Sequence, residues 1–234
     1  MEIPAKTKLI GPGPAVAALT PHPALATKFE MAYVLFMDLV GYSKLPMDLQ
    51  SQRIQQLQQI VSGTSEFCRA QQSDELISLP TGDGMALVFF QNPVAPVQCA
   101  IELARKLQDY TDLQLRMGVH TGPVHRIADI NTNRNVAGSG INLAQRVMDC
   151  GDAGHILVSK SLADILGQLS GWDDALHDCG EVEVKHGVKV HLVNLFTSEV
   201  GNSNLPAKLR KPRLVSVARI ALLSRVPPSA ASSL

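Results

Sequence analysis

An α+β or α/β sandwich built on a sheet of mixed strand direction is the fold this sequence predicts, and three observations point to it. Apolar runs with strand character alternate with stretches of helical spacing along residues 31–197. Two segments, "ELISLPTGDGMALVFF" and "GEVEVKHGVKVHLVNLF", each place two apolar runs around a turn and read as hairpins. Of the 234 residues, 45% are hydrophobic and 18% charged, a balance that can bury a core.

The elements follow in order. Residues 1–30 hold Pro4, Pro12, Pro14, Pro21 and Pro23 and read as an irregular arm, because proline fixes φ and lacks an amide donor. A first strand covers 32–38. Leu49, Ile54, Leu57, Ile60, Val61 and Phe67 recur at helical spacing between Pro46 and Gln72, with Pro46 suited to a first helical turn. After the first hairpin, a helix over 93–109 carries Val97, Ala100, Ile101, Ala104 and Leu107 on one face. "LQLRMGVHTGPVHRIAD" is the next strand, and "NTNRNVAGSG" a polar loop. "INLAQRVMDC" forms a helix that stops near Gly151. "HILVSK" is a short strand, "SLADILGQL" a short helix, and the second hairpin, turning near His186 and Gly187, closes the domain. The predicted order is β-α-ββ-α-β-α-β-α-ββ. Residues 198–234 form a tail: "TSEVGNSNLPAKLRKPRL" is polar, "RLVSVARIALLSRV" (213–226) suits a basic amphipathic helix docked on its own domain or a partner, and "PPSAASSL" reads as disordered.

Composition excludes several function classes. Lys+Arg and Asp+Glu both number 21, so there is no basic excess of the kind a nucleic-acid binder shows. Cys68, Cys99, Cys150 and Cys179 are widely spaced and suggest neither a zinc site nor a disulfide framework, which fits a reduced cytosol. No signal segment is visible, and no run reaches the roughly 18–20 apolar residues a membrane span needs. The expected location is the cytoplasm.

Two carboxylates carry the chemistry. Asp38 ends the apolar run "MAYVLFM", and alone it reads first as a strand-ending turn residue. Asp83 lies between Gly82 and Gly84 at a hairpin tip, where Asp-Gly is a common turn. Together they form a pair on neighbouring strands. Two such like charges repel unless a cation lies between them, and oxygen ligands favour magnesium or manganese.

Four motifs then resemble the class III nucleotide cyclases, over about residues 31–197. They are "FMDLVGYSKL", "TGDGMALVF", "LRMGVHTGPV" and "GSGINLAQRVMD", in the family's order. The resemblance implies a ferredoxin-like cyclase homology domain with a mixed, mostly antiparallel sheet. It implies that Asp38, Asp83 and the Leu39 carbonyl hold two Mg²⁺ or Mn²⁺ ions. It gives Asn142 the task of orienting the ribose and Arg146 that of stabilising the α-phosphoryl transition state. The two are four apart and so share a helix face. The amides of Val40, Gly41, Tyr42 and Ser43 would cradle phosphate oxygens, and Lys185 would contact the terminal phosphates. His120, in the third motif, reads as a packing histidine. Family members draw the Asp pair and the Asn/Arg pair from opposite subunits, so a chain with one copy of each implies a head-to-tail homodimer acting on a nucleoside triphosphate.

The resemblance weakens at the base. The base-reading positions fall on Leu79 and Asn135, and an aliphatic side chain can neither donate to nor accept from a purine edge. Two explanations stay open. The chain is similar to the bacterial pyrimidine cyclases of the Pycsar antiphage system, which implies cyclic UMP ahead of cyclic CMP, read by a separate effector. The alternative is an adenylate cyclase of relaxed readout. An inert, nucleotide-binding cyclase-like module is disfavoured because Asp38, Asp83 and Arg146 are all present.

Overall fold

At the centre of the sheet lies β1 (Phe29–Leu39), buried on both faces from Val34 to Leu39. The computed structural model describes residues 28–128 and 134–210. The arm expected over 1–30 lies almost wholly outside these residues, and the basic helix expected over 213–226 entirely so.

β1 is followed by α1 (Met47–Ser62) and α2 (Ser65–Gln72). The sequence predicts one helix here. Instead Gly63 closes α1 and an extended Thr64 opens α2, its Oγ1 donating to Val61 O at 2.8 Å. The hairpin β2 (Leu76–Pro80) and β3 (Gly84–Phe89) comes next, then α3 (Ala95–Lys106) and β4 (Leu115–Ala128). The expected polar loop contains a strand, β5 (Arg134–Ala137), which pairs with β4. Four residues without alternation carry no strand signal of their own; the long edge of β4 supplies it. After β5 come α4 (Ser139–Met148), β6 (Ile156–Ser159), α5 (Lys160–Leu166), and the hairpin β7 (Leu176–Val184) and β8 (Val188–Leu195).

The strand order is β2-β3-β1-β4-β6-β8-β7, with β5 beside β4. Among the described strands only β4 and β6 run parallel, so the sheet is mixed and mostly antiparallel. The α+β sandwich is as expected.

Alternate side chains of β1 enter opposite layers, as strand geometry requires. Leu35 and Met37 join Leu57, Val61, Leu103 and Leu162 from α1, α3 and α5. Val34 and Phe36 join Ala144 and Met148 of α4 on the other face. A third cluster, around Val147, Leu157 and Leu192, fills the space between α4 and the last hairpin. All four cysteines are free thiols.

α4 lies close on β4 because glycine stands at the contact. A Cβ on Gly118 would sit 2.6 Å from Met148 Cα, and one on Gly122 would sit 2.9 Å from Gly140 Cα. Two glycines of the "RMGVHTG" strand are therefore there for helix packing.

His120 is buried beneath this layer, its Nδ1 2.8 Å from Ser159 Oγ. Burial lowers its pKa from 6.5 to about 4. The ring is neutral in the fold and takes up a proton on unfolding, so its contribution is complete above the unfolded pKa and declines as pH falls toward 4. By pH 5 the loss should be about 2 kcal/mol. Urea unfolding at neutral and acid pH should show that extra loss in the native chain and not in His120→Gln. Equal losses in both would assign the acid sensitivity elsewhere.

Candidate active site

Strand register builds the acidic half of the site. In the β1 ladders, Asp38 stands opposite Gly84 of β3 on one side and Arg116 of β4 on the other. Asp83 is the residue before Gly84, and its carbonyl accepts from Leu39 N at 3.0 Å. Gly84 serves this junction, since a Cβ there would meet Asp38 Cα at 2.9 Å as well as the Met37 backbone. The close approach it permits is thus to β1.

After β1 the chain turns through Gly41, at φ 79°, into a single 3-10 turn over Tyr42–Lys44. That turn is closed by Lys44 N and Leu45 N. The amides of Gly41, Tyr42 and Ser43 precede its first internal bond and have no backbone acceptor among the described residues. Val40 is a correction to the expected phosphate cradle. Its amide donates to Gln114 O at 2.9 Å and is committed to the sheet.

These residues line a cavity of about 400 Å³ with Arg116 and the loop Gly151, Asp152 and Ala153. Arg116 is the cavity residue that sequence reasoning passed over. Its Nη2 and Nε donate to Asp38 Oδ2 at 2.6 and 3.0 Å, and Nη2 is also 3.5 Å from Asp149 Oδ1. The other Asp38 oxygen, Oδ1, is buried with no hydrogen-bond partner. Burial pushes the Asp38 carboxyl above its ordinary range, the Arg116 hydrogen bond opposes this, and the Asp83 charge adds to it. A buried acceptor without a donor, beside a second carboxylate, fits a divalent cation. Among the described residues no cluster of three or more His, Cys, Asp or Glu side chains is placed to hold a metal. Such an ion would therefore draw its remaining ligands from backbone carbonyl, water and phosphate, the habit of magnesium.

The basic half lines a neighbouring cavity. Arg146, half-buried on α4, and Lys185, in the turn between β7 and β8, line a second cavity of about 270 Å³ with Asp149, Cys150, Glu183 and Lys208. Among the described residues the Arg146 guanidinium has no hydrogen-bond or ion-pair partner. Asn142 is exposed one turn earlier on the same helix and lines neither cavity. The structure therefore brings Asp38 together with Asp83, and Arg146 together with Lys185. It does not bring the two pairs into one cavity within a protomer.

The base-reading positions also line neither cavity. Leu79 stands opposite Ala86 on β2 and packs against the Val34–Phe36 cluster. Asn135, on β5, turns its Oδ1 back to its neighbour's amide, Val136 N, at 2.8 Å. A slightly larger cavity, about 430 Å³, lies between α1, α2 and the first hairpin. It is lined by Gln55, Gln58, Val61, Phe67 and Met85 among others, with no ionisable side chain, and offers no comparable chemistry.

Residues 25–196 match the model of the adenylate and guanylate cyclase catalytic domain. Among solved structures, the adenylyl cyclase CyaB from P. aeruginosa superposes with TM-score 0.60 at 21% identity, covering 76% of this chain and 100% of that one. Adenylate cyclases from Trypanosoma brucei in their monomeric state give TM-score 0.62 at 17% identity, covering 78% of this chain and 94% of theirs. The guanylate cyclase domain of RhGC from Catenaria anguillulae, in complex with GTP, gives 0.59 at 18% identity, covering 75% and 100%. Comparison with curated protein sequences finds no significant match. The fold, the order of the motifs and the match over most of its length together make this chain a member of the adenylate and guanylate cyclase catalytic domain family.

Proposed function

We propose that two copies of the chain, head to tail, cyclise a nucleoside triphosphate to its 3′,5′-cyclic nucleotide with release of pyrophosphate, and that the substrate is UTP. The observation that carries the cyclase reading is the orphaned Asp38 Oδ1 beside Asp83, in a cavity distinct from that of Arg146 and Lys185.

The 3′-oxygen bonds to the α-phosphorus, the bond from that phosphorus to the bridging oxygen breaks, and the hydroxyl proton leaves to solvent. Two divalent ions held by Asp38, Asp83 and the Leu39 carbonyl would supply a lowered hydroxyl pKa and neutralisation of the triphosphate. Gly41, Tyr42 and Ser43 offer amide donors to phosphate oxygens. Arg116 balances Asp38 in the free protomer and is, among the described residues, the one cationic side chain lining that cavity. From the facing protomer, Asn142 orients the ribose and Lys185 holds the terminal phosphates. Arg146 meets the charge that grows on the α-phosphoryl oxygens, a role typically worth ~10²-fold or more.

The dimer is supported by coverage of the sheet. Among the described residues α1, α3 and α5 bury one face, whereas α4 lies on the other and leaves Leu79 and Ile141 half-buried. A second copy on that face would bring an acidic cavity to a basic one.

Leu79 argues against the usual purine readout: its apolar packing offers nothing to a purine edge, and a buried edge left unpaired costs about 1–3 kcal/mol. The choice of uridine rests on the resemblance to the pyrimidine cyclases. By the same resemblance the product is a second messenger in antiphage defence, read by a separate effector. No helix among the described residues is long and apolar enough to cross a membrane.

The test is turnover of ATP, GTP, CTP and UTP, each with manganese. Cyclic UMP from UTP should form with the highest kcat/KM. A purine product in the lead would overturn the base assignment. No product from any substrate, with nucleotide binding intact, would make the domain an inert binding module.

A further inference from the structure

The polar stretch after β8 runs back across the loop that joins α4 to β6. Asn202 Nδ2 donates to Ala153 O at 2.9 Å, Asn204 O lies 2.8 Å from His155 Nε2, and Ala207 N donates to Asp152 Oδ2 at 2.8 Å. Leu209 packs with Val182 and Val184 on the third apolar cluster. The backbone is thus held on both sides of Lys208. Its ammonium donates to Asp149 O at the C-terminal end of α4, and the side chain lines the cavity of Arg146 and Lys185.

We propose that Lys208 is a third cation of the polyphosphate half-site, contacting the terminal phosphates of the substrate and the pyrophosphate product beside Arg146 and Lys185. The assignment rests on the cyclase reading above. An ammonium has three donors, and the Asp149 carbonyl takes one, so two remain for phosphate oxygens. The cavity carries three cations against the carboxylates of Asp149 and Glu183, and Asp149 is partly engaged by Arg116. That surplus suits a leaving group that gains charge as the phosphorus–oxygen bond breaks. Lys208 is exposed, as a residue that meets an arriving triphosphate must be. The competing role is a cap on α4, in which the lysine complements the helix dipole and satisfies a terminal carbonyl. Capping needs only a donor for Asp149 O, so charge separates the two roles.

The experiment titrates the whole chain with inorganic tripolyphosphate in magnesium buffer and measures inhibition of turnover by pyrophosphate. Lys208→Gln keeps a donor for Asp149 O and loses the charge, whereas Lys208→Arg keeps the charge. Lys208→Gln should bind tripolyphosphate about tenfold more weakly and raise the pyrophosphate inhibition constant by the same factor. Lys208→Arg should stay near the native values, and Lys208→Glu should fall below Lys208→Gln. Melting temperatures of Lys208→Gln and Lys208→Arg should be unchanged, since both keep a donor for Asp149 O. Native affinity in Lys208→Gln, with the chain turning over substrate normally, would reduce Lys208 to a helix cap and overturn the proposal. Loss of tripolyphosphate binding in Lys208→Gln, when the native chain cyclises none of the four triphosphates, would sustain the anion site and overturn the cyclase reading instead.

Discussion

Asp38→Ala and Arg146→Ala should each be inactive alone, and co-expressing them should restore about a quarter of native activity. The first removes a carboxylate from the acidic cavity, which should cost at least about 10³-fold with magnesium. The second removes a guanidinium aimed at developing charge, at about 10²-fold or more. If each site takes its acidic half from one protomer and its basic half from the other, a mixed dimer contains one site with both lesions and one with neither. Random pairing makes half of the dimers mixed, and each has one working site of two, so recovery is about one quarter. That is far above the residue left by either variant alone. Size-exclusion chromatography confirms that dimers form, and turnover of the best triphosphate gives the recovery. Mixed dimers that form and stay dead would mean the two halves belong to one protomer, against the separation of the two cavities.

The acidic pair was legible in the sequence because each member punctuates a strong pattern. Asp38 ends an apolar run that has nowhere to go but the core, and Asp83 sits in a hairpin tip marked by glycines. The mixed, mostly antiparallel sheet followed from the two hairpins and the family motifs. Arg116 was not legible as a partner of Asp38. Its place opposite Asp38 depends on the register between β1 and β4, which are separated in sequence by three α-helices and a hairpin. An arginine two residues before a glycine in a strand announces nothing about what lies across from it. β5 was missed for a similar reason, since its strand character comes from β4. The bonds of residues 202–210 to the α4–β6 loop were also hidden. They run through asparagine, aspartate, histidine and backbone groups, and a polar composition reads the same whether those groups meet protein or water.

Gly118→Ala should be among the most damaging conservative substitutions outside the two cavities, because the contact it breaks positions Arg146. A methyl at 118 would stand 2.6 Å from Met148 Cα and equally close to its Cβ, inside any van der Waals limit. Neither partner can yield cheaply. Gly118 is in the middle of β4, paired with Phe36 of β1 on one side and Leu157 of β6 on the other. Met148 ends α4 and is itself buried. The helix must therefore lift from the sheet, at a cost of about 3 kcal/mol or more. Arg146, two residues earlier on that helix, moves with it, and misplacing a catalytic group by about 1 Å can cost about 10²-fold in rate. Gly63→Ala is the matched comparison. A methyl there meets Gln59 O at 3.4 Å, an ordinary contact, at an unremarkable φ of −88°. It should change stability by less than about 1 kcal/mol and leave turnover intact. Urea unfolding and kcat of the two variants, measured where both are folded, decide the matter. If Gly118→Ala is as stable and active as Gly63→Ala, α4 does not rest on β4 at this point, and the glycines of "RMGVHTG" need another explanation.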